Sequence, residues 1–232
     1  LRHLDYIYGM NFLSHYYFEQ QSSSPEMVLG TVLPDLLKNA NKNWSIHPEK
    51  KADLFDQTQT SAILQGWKRH LEVDRIFHSA PFFNQKMQEL KNLLIPILTE
   101  SPVRPSFLAH IGVELLLDHL LIAYGKINVS KFYEKLDTVN EDALTDFLKL
   151  CAIDDVDHFF KFYQSFKSSR YLLSYQKLEN IAYALQRICM RLWEHPFTEK
   201  TNYQLISILE FYKTQLEVDF MVIFEEIENK LN

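Results

Sequence analysis

Trp67-Lys68-Arg69-His70-Leu71-Glu72-Val73-Asp74-Arg75-Ile76-Phe77-His78 is the stretch whose periodicity decides the fold. Residues four apart on a helix drift by about 40° around the axis, so His70, Asp74 and His78 climb one side of it. Ile63, Trp67 and Phe77 fall close to the same stripe, which makes the polar side the one that turns inward. Buried imidazoles and carboxylates need partners. The helix therefore demands from the rest of the chain either further ligands around a metal or hydrogen-bonded packing partners.

Composition agrees with a helical reading. Five glycines and eight prolines in 232 residues leave few of the turns a many-stranded fold requires. The chain is long enough to bury a full core, and no linker or low-complexity tract interrupts it. The expectation is an all-α, single helical bundle-like domain over 1–232. A net charge of −6 without a long basic tract argues against an ordinary nucleic-acid binder. Cys151 and Cys189 lack metal or redox spacing and read as buried thiols in a reducing compartment. The longest apolar stretch, Ile111 to Tyr124, is broken by Glu114, Asp118 and His119, and no apolar leader precedes the helices. No membrane span and a cytoplasmic location are the expectations.

Outward from the organising helix, set at Thr60 to His78, the chain punctuates itself. Asn11 to Gln21 reads as a short helix, and Ser24-Pro25-Glu26 opens another with Ser24 as N-cap. Pro34 lacks a backbone N–H, so that helix is expected to falter there and leave Asp35 at a break. Pro81 starts an amphipathic helix that ends near Pro96. Ser106 is expected to cap a helix from Phe107 to Tyr124, closed by Gly125. On it His110, Glu114 and Asp118 repeat the four-residue ladder, with His119 beside the last. Helical segments follow near 130–138, 141–151, 155–168, 174–194 and 203–230.

Acidic residues are 30 of 232, so nine histidines should meet an acid four positions later about 1.2 times by chance. Four do: His15-Glu19, His70-Asp74, His110-Glu114 and His195-Glu199. Any one of these is ordinarily a helix-surface ion pair. Pro196 breaks the last, and His158 reads as part of a capped helix start after Asp155. The co-occurrence of His15, Asp35, His70, Asp74, His78, His110, Glu114 and Asp118 in the first 120 residues is the informative signal. Facing helices that gather histidines and carboxylates can bind divalent metals.

Met10-Asn11-Phe12-Leu13-Ser14-His15, then Gly30-Thr31-Val32-Leu33-Pro34-Asp35-Leu36-Leu37, His70-x-x-x-Asp74 and Leu117-Asp118-His119-Leu120-Leu121 resemble the acyl carrier protein phosphodiesterase family. The resemblance covers about residues 10 to 121, leaving 126–232 as a helical C-terminal extension. It implies an HD-domain-like metal phosphohydrolase that takes a divalent metal such as manganese or iron and removes 4'-phosphopantetheine from holo-acyl carrier protein. The chain departs from that pattern at Leu71-Glu72, where two arginines are expected, and at Phe77-His78, where Thr-Asp is. A looser resemblance, through His15, Pro34-Asp35, His70-x-x-x-Asp74-x-x-x-His78 and His110-x-x-x-Glu114, is to the zinc-dependent phospholipase C and P1 nuclease group.

Both resemblances imply a phosphodiester substrate. The ligand candidates are His15, Asp35, His70, Asp74, His78, His110 and Asp118, with Glu114 or Asp35 as general base. Lys68, Arg69 or His119 would steady phosphate oxygens, and Glu72 would orient a ligand histidine. An acidic carrier protein needs a local basic patch, for which Lys38, Lys42, Lys50, Lys51, Lys68, Arg69 and Arg75 are the candidates. The competing class is a non-enzymatic helical metal-binding or interaction protein whose histidine–acid pairs are core hydrogen bonds. Its 14% aromatic content would suit that role.

Overall fold

The computed structural model describes residues 11–231, so Met10 of the opening motif lies outside the described residues. Every regular element among them is helical. In chain order these are α1 (Phe12–Tyr17), α2 (Pro25–Ala40), α3 (Thr58–Ser79), α4 (Pro81–Leu94), α5 (Pro105–Ala123) and α6 (Val129–Asp137). There follow α7 (Glu141–Leu150), α8 (Val156–Ser169), α9 (Leu178–Cys189), α10 (Glu199–Leu216) and α11 (Met221–Leu231). Short 3-10 segments lie at Pro48–Leu54, which is kinked at Lys51, at Ile95–Ile97 and at Tyr171–Gln176. The all-α class is as expected.

The chain forms two compact units, each discontinuous in sequence. One comprises Phe12–Asp74 and Ile127–Leu173; the other comprises Asn11, Arg75–Lys126 and 174–231. The helices after residue 126 are thus divided between the units. In the first unit α6 and α8 pack on α2; in the second α9 packs on α5, and α10 on α4 and α9.

In the first unit α2 opens as expected, with Ser24 Oγ accepting from Met27 N at 3.1 Å and Pro25 in the first turn. It does not falter at Pro34: α2 runs unbroken through it to Ala40. An interior proline costs about 3 kcal/mol. Leu29, Val32, Leu33, Leu36 and Leu37 on either side are all buried, each contributing about 1.5–3 kcal/mol, so burial wins. The same helix crosses α3 at backbone contact. A Cβ on Gly30 would strike the Ile63 carbonyl and lie 2.8 Å from Gly66 Cα, while one on Gly66 would strike the Met27 carbonyl. Behind this crossing sits an aromatic core in which Phe12 meets Phe166 at 5.2 Å and Tyr16 meets Phe132 at 5.0 Å. Tyr163 Oη donates to the Leu136 carbonyl at 3.0 Å, so its burial leaves no unsatisfied hydroxyl.

In the second unit α5 is predominantly apolar, is buried on nearly every side and is a core helix. It alone among the described helices is long and apolar enough to cross a membrane, yet 78% of that stretch is buried within the protein. Its start corrects the expected Ser106 cap. Pro105 takes the first helical position and Arg104 is the N-cap with no side-chain bond, because a proline there sacrifices an N–H that has no helical partner anyway. Its end is as expected: Gly125 has φ +63°, with Gly125 N donating to Ile122 O at 3.0 Å and Lys126 N to Leu121 O at 2.8 Å.

The expected long helix 203–230 is two, α10 and α11, joined by a turn that no glycine or proline announces. The turn brings Asp219 to 2.9 Å from the buried Lys86 ammonium and packs Phe220 on Tyr124 at 5.3 Å. A buried lysine requires such a partner.

Gly66→Ala is expected to cost about 3 kcal/mol, because the obstacle is backbone that cannot rotate away. Thermal unfolding should fall by about 6–12 °C. An unchanged Tm would mean that the α2–α3 crossing is looser than described.

Candidate metal centres

The organising helix α3 does carry His70, Asp74 and His78 on successive turns, but the three side chains serve two different groups. In the first unit, one donor atom each from His15, His70 and Asp74 lies within 4.8 Å of the others. The His15 and His70 rings stack with centroids 3.9 Å apart and planes 21° from parallel. His15 and His70 are buried, and Asp74 is half-buried.

The close α2–α3 crossing supplies the orientation of His70. Its Nδ1 lies 2.9 Å from the Thr31 carbonyl oxygen. A carbonyl can only accept, so Nδ1 carries a proton, which in a neutral imidazole puts the lone pair on Nε2. That arrangement is how proteins hold a metal-ligating histidine. Two imidazoles and a carboxylate suit manganese, iron or zinc better than the all-oxygen preference of magnesium or calcium. The donor set fits the divalent ion implied by the sequence.

In the second unit, His78 of α3 meets His110 and Glu114 of α5. His78 Nε2 is 3.2 Å from His110 Nε2 and 3.2 Å from Glu114 Oε1, and His110 Nε2 is 3.1 Å from the same oxygen. Glu114 is buried, and its Oε2 has no hydrogen-bond partner. Burial pushes this carboxyl up, but hydrogen bonds and charge from His110 and His78 together outweigh it and hold the group below the usual carboxylate range. The two rings stack 16° from parallel, and Phe83 presents an edge contact to each, at 5.3 and 5.1 Å.

The remaining candidates fall outside these two groups. Asp35 is buried on α2, one turn beyond Thr31 on the same face. Asp118 is buried on α5, one turn beyond Glu114. His119 is buried and fixed by the Tyr175 carbonyl 2.7 Å from its Nδ1, and burial lowers its basicity. Arg69 donates from Nε to Glu19 Oε1 at 3.0 Å and lies 3.7 Å from Glu72. Glu72, exposed, therefore faces Arg69, which overturns the expectation that it orients a histidine. Lys68 is exposed.

His15 and Glu19 do not form a helical pair, because α1 ends at Tyr17 and Glu19 turns to Arg69. The expectations for His158 and His195 hold. Asp155 Oδ1 accepts from His158 N at 3.0 Å, and His195 precedes the start of α10. Sequence reasoning passed over Gly66 and Phe83 and assigned Glu19 to His15 rather than to Arg69. Only Gly66 had a signal, a lone glycine inside an otherwise helical pattern.

The family model described as Acyl carrier protein phosphodiesterase matches residues 10–227. No curated protein and no solved structure matches the chain. The matched span runs well past the motifs around His15, Asp35, His70 and Asp118, through both units and into α11. With nearly its whole length accounted for in this way, the chain belongs to the acyl carrier protein phosphodiesterase family.

Proposed function

We propose that the protein is a metal-dependent phosphodiesterase that hydrolyses the phosphodiester joining 4'-phosphopantetheine to acyl carrier protein, using His15, His70 and Asp74 to hold a divalent ion. The observation that carries this reading is the convergence of those three side chains, with His70 Nδ1 anchored by the Thr31 carbonyl. When bound, such an ion lowers the pKa of water and draws charge from a phosphate.

The chain's own groups do the rest. Asp35, buried on the Thr31 face of α2, orients the attacking water, accepts its proton as the new P–O bond forms, and returns that proton to the carrier's ester oxygen as the old P–O bond breaks. Lys38 follows on the same stripe, at the spacing Thr31, Asp35, Lys38, and steadies the phosphate oxygens. Burial lowers its pKa, and a partly desolvated ammonium gains more from an approaching phosphate than one in open water. Arg69, engaged by Glu19 and Glu72, is a positioning residue that ties α3 to the segment after α1. Exposed Lys42, Lys50, Lys51 and Lys68 belong to the same unit and supply local positive charge for an acidic carrier on a chain of net charge −6. A cytoplasmic location would suit that partner.

His70→Ala and Asp74→Ala should each lose the ion bound by this group and reduce release of 4'-phosphopantetheine at least about 100-fold. Elemental analysis and the mass shift of the carrier protein would check this. Asp35→Asn should keep the metal and lose about 10²–10⁴-fold in kcat. If Asp74→Ala retains both its metal and its activity, this assignment fails.

Removal of metal by a chelator should also destabilise the protein. An ion present at 100 times its Kd contributes about 2.7 kcal/mol, which corresponds to a fall in Tm of about 5–11 °C. Equal melting curves with and without chelator would favour a bundle of hydrogen-bonded core pairs.

A further inference from the structure

The His78, His110 and Glu114 group is not used by the reaction proposed above, and its geometry is poorly explained by hydrogen bonding. Three atoms, His78 Nε2, His110 Nε2 and Glu114 Oε1, lie 3.1–3.2 Å from one another. If both imidazoles donate to the carboxylate oxygen, two N–H groups face each other across 3.2 Å. If one ring accepts from the other, it has no proton at that nitrogen to give to Glu114. Protons therefore satisfy at most two sides of the triangle. A cation satisfies all three, because each atom then points a lone pair inward. Ligands about 2.05 Å from a tetrahedral zinc ion are separated by about 3.3 Å, close to the spacing observed.

Two further observations point the same way. Glu114 is 1% exposed and its Oε2 is unpartnered, a costly arrangement for a buried carboxylate that a cation beside it would relieve. Meanwhile the side chains of His78 and His110 are 31% and 21% exposed, so the group opens to solvent on the histidine side. Phe83 packs edge-on against both rings, whose planes lie 16° from parallel, and walls one side of the group.

We propose that His78, His110 and Glu114 form a zinc site with a solvent-facing open coordination position, made with none of the donors of the His15, His70 and Asp74 group. Two imidazoles and one carboxylate with an open position is a ligand set characteristic of zinc sites that bind water. The proposal stands whether or not the phosphodiesterase reading does.

The test uses the full chain, stripped with chelator, desalted, and titrated with Zn²⁺ alone by calorimetry and with Co²⁺ alone by visible absorption. His110→Ala and Glu114→Gln are compared with His70→Ala, and far-UV circular dichroism of the apo proteins checks folding. His110→Gln is a second variant at the more exposed position should Glu114→Gln unfold. The expected result is about one equivalent of zinc lost, or bound at least about 100-fold more weakly, in the His110 and Glu114 variants. The tetrahedral cobalt band should fall with it, while His70→Ala retains that equivalent and band. Zinc stoichiometry and affinity unchanged in folded His110→Ala would overturn the proposal. A single wild-type equivalent lost in His70→Ala but kept in His110→Ala would also overturn it. A single equivalent with the opposite pattern would support this site and remove the metal from the phosphodiesterase reading.

Discussion

The His15, His70 and Asp74 donor group depends on two glycines that let α2 and α3 touch backbone to backbone. Gly30 and Gly66 leave no room for a Cβ, and any side chain there would push the helices apart. At that separation the Thr31 carbonyl, one residue along α2, comes within 2.9 Å of His70 Nδ1, one turn along α3 from Gly66. A carbonyl committed to a side chain 39 residues away is a tertiary constraint expressed as a tautomer. The sub-ångström tolerance of a hydrogen bond makes the site sensitive to the crossing, and the crossing sensitive to one methyl group.

The same crossing helps to explain why α2 tolerates Pro34. The helix is already committed by its N-cap, by the glycine contact and by apolar residues buried on both sides of the proline. Losing one backbone hydrogen bond does not outweigh that. Because the helix continues, Asp35 keeps helical register with Thr31, four residues earlier, and with Lys38, three later. A break at Pro34 would have rotated the carboxylate off the face that meets His70.

Much of this was legible from residue order. The inward stripe of α3, the cap at Ser24, the glycine closure of α5 at Gly125, and the clustering of histidines and acids in the first 120 residues all follow from periodicity and local chemistry. What was not legible depends on groups distant in sequence. A ladder of His70, Asp74 and His78 looks like one ligand set, yet about 40° of drift per step is enough to send His78 to a different neighbour. Glu19 reads as the partner of His15 until α1 ends early and Arg69, fifty residues on, takes it. The turn between α10 and α11 has no local breaker, since what favours it is a buried ammonium on α4.

His70 and His119 show why burial and a backbone anchor do not by themselves make a candidate metal ligand. Both are buried, and both place Nδ1 against a main-chain carbonyl, at 2.9 and 2.7 Å. The difference lies across the ring. Beside His70 stand a second imidazole and a carboxylate, whereas among the described residues His119 joins no such convergence of donors. Around His119 the charges come from Lys213, Glu217 and Glu179, opposite in sign, and burial dominates. Burial favours the neutral ring at His119, but of the two only His70 stands among donors that could share a cation. A histidine ligand is defined by what faces its free nitrogen, and in this chain that is decided by which helices the glycine crossing allows to meet.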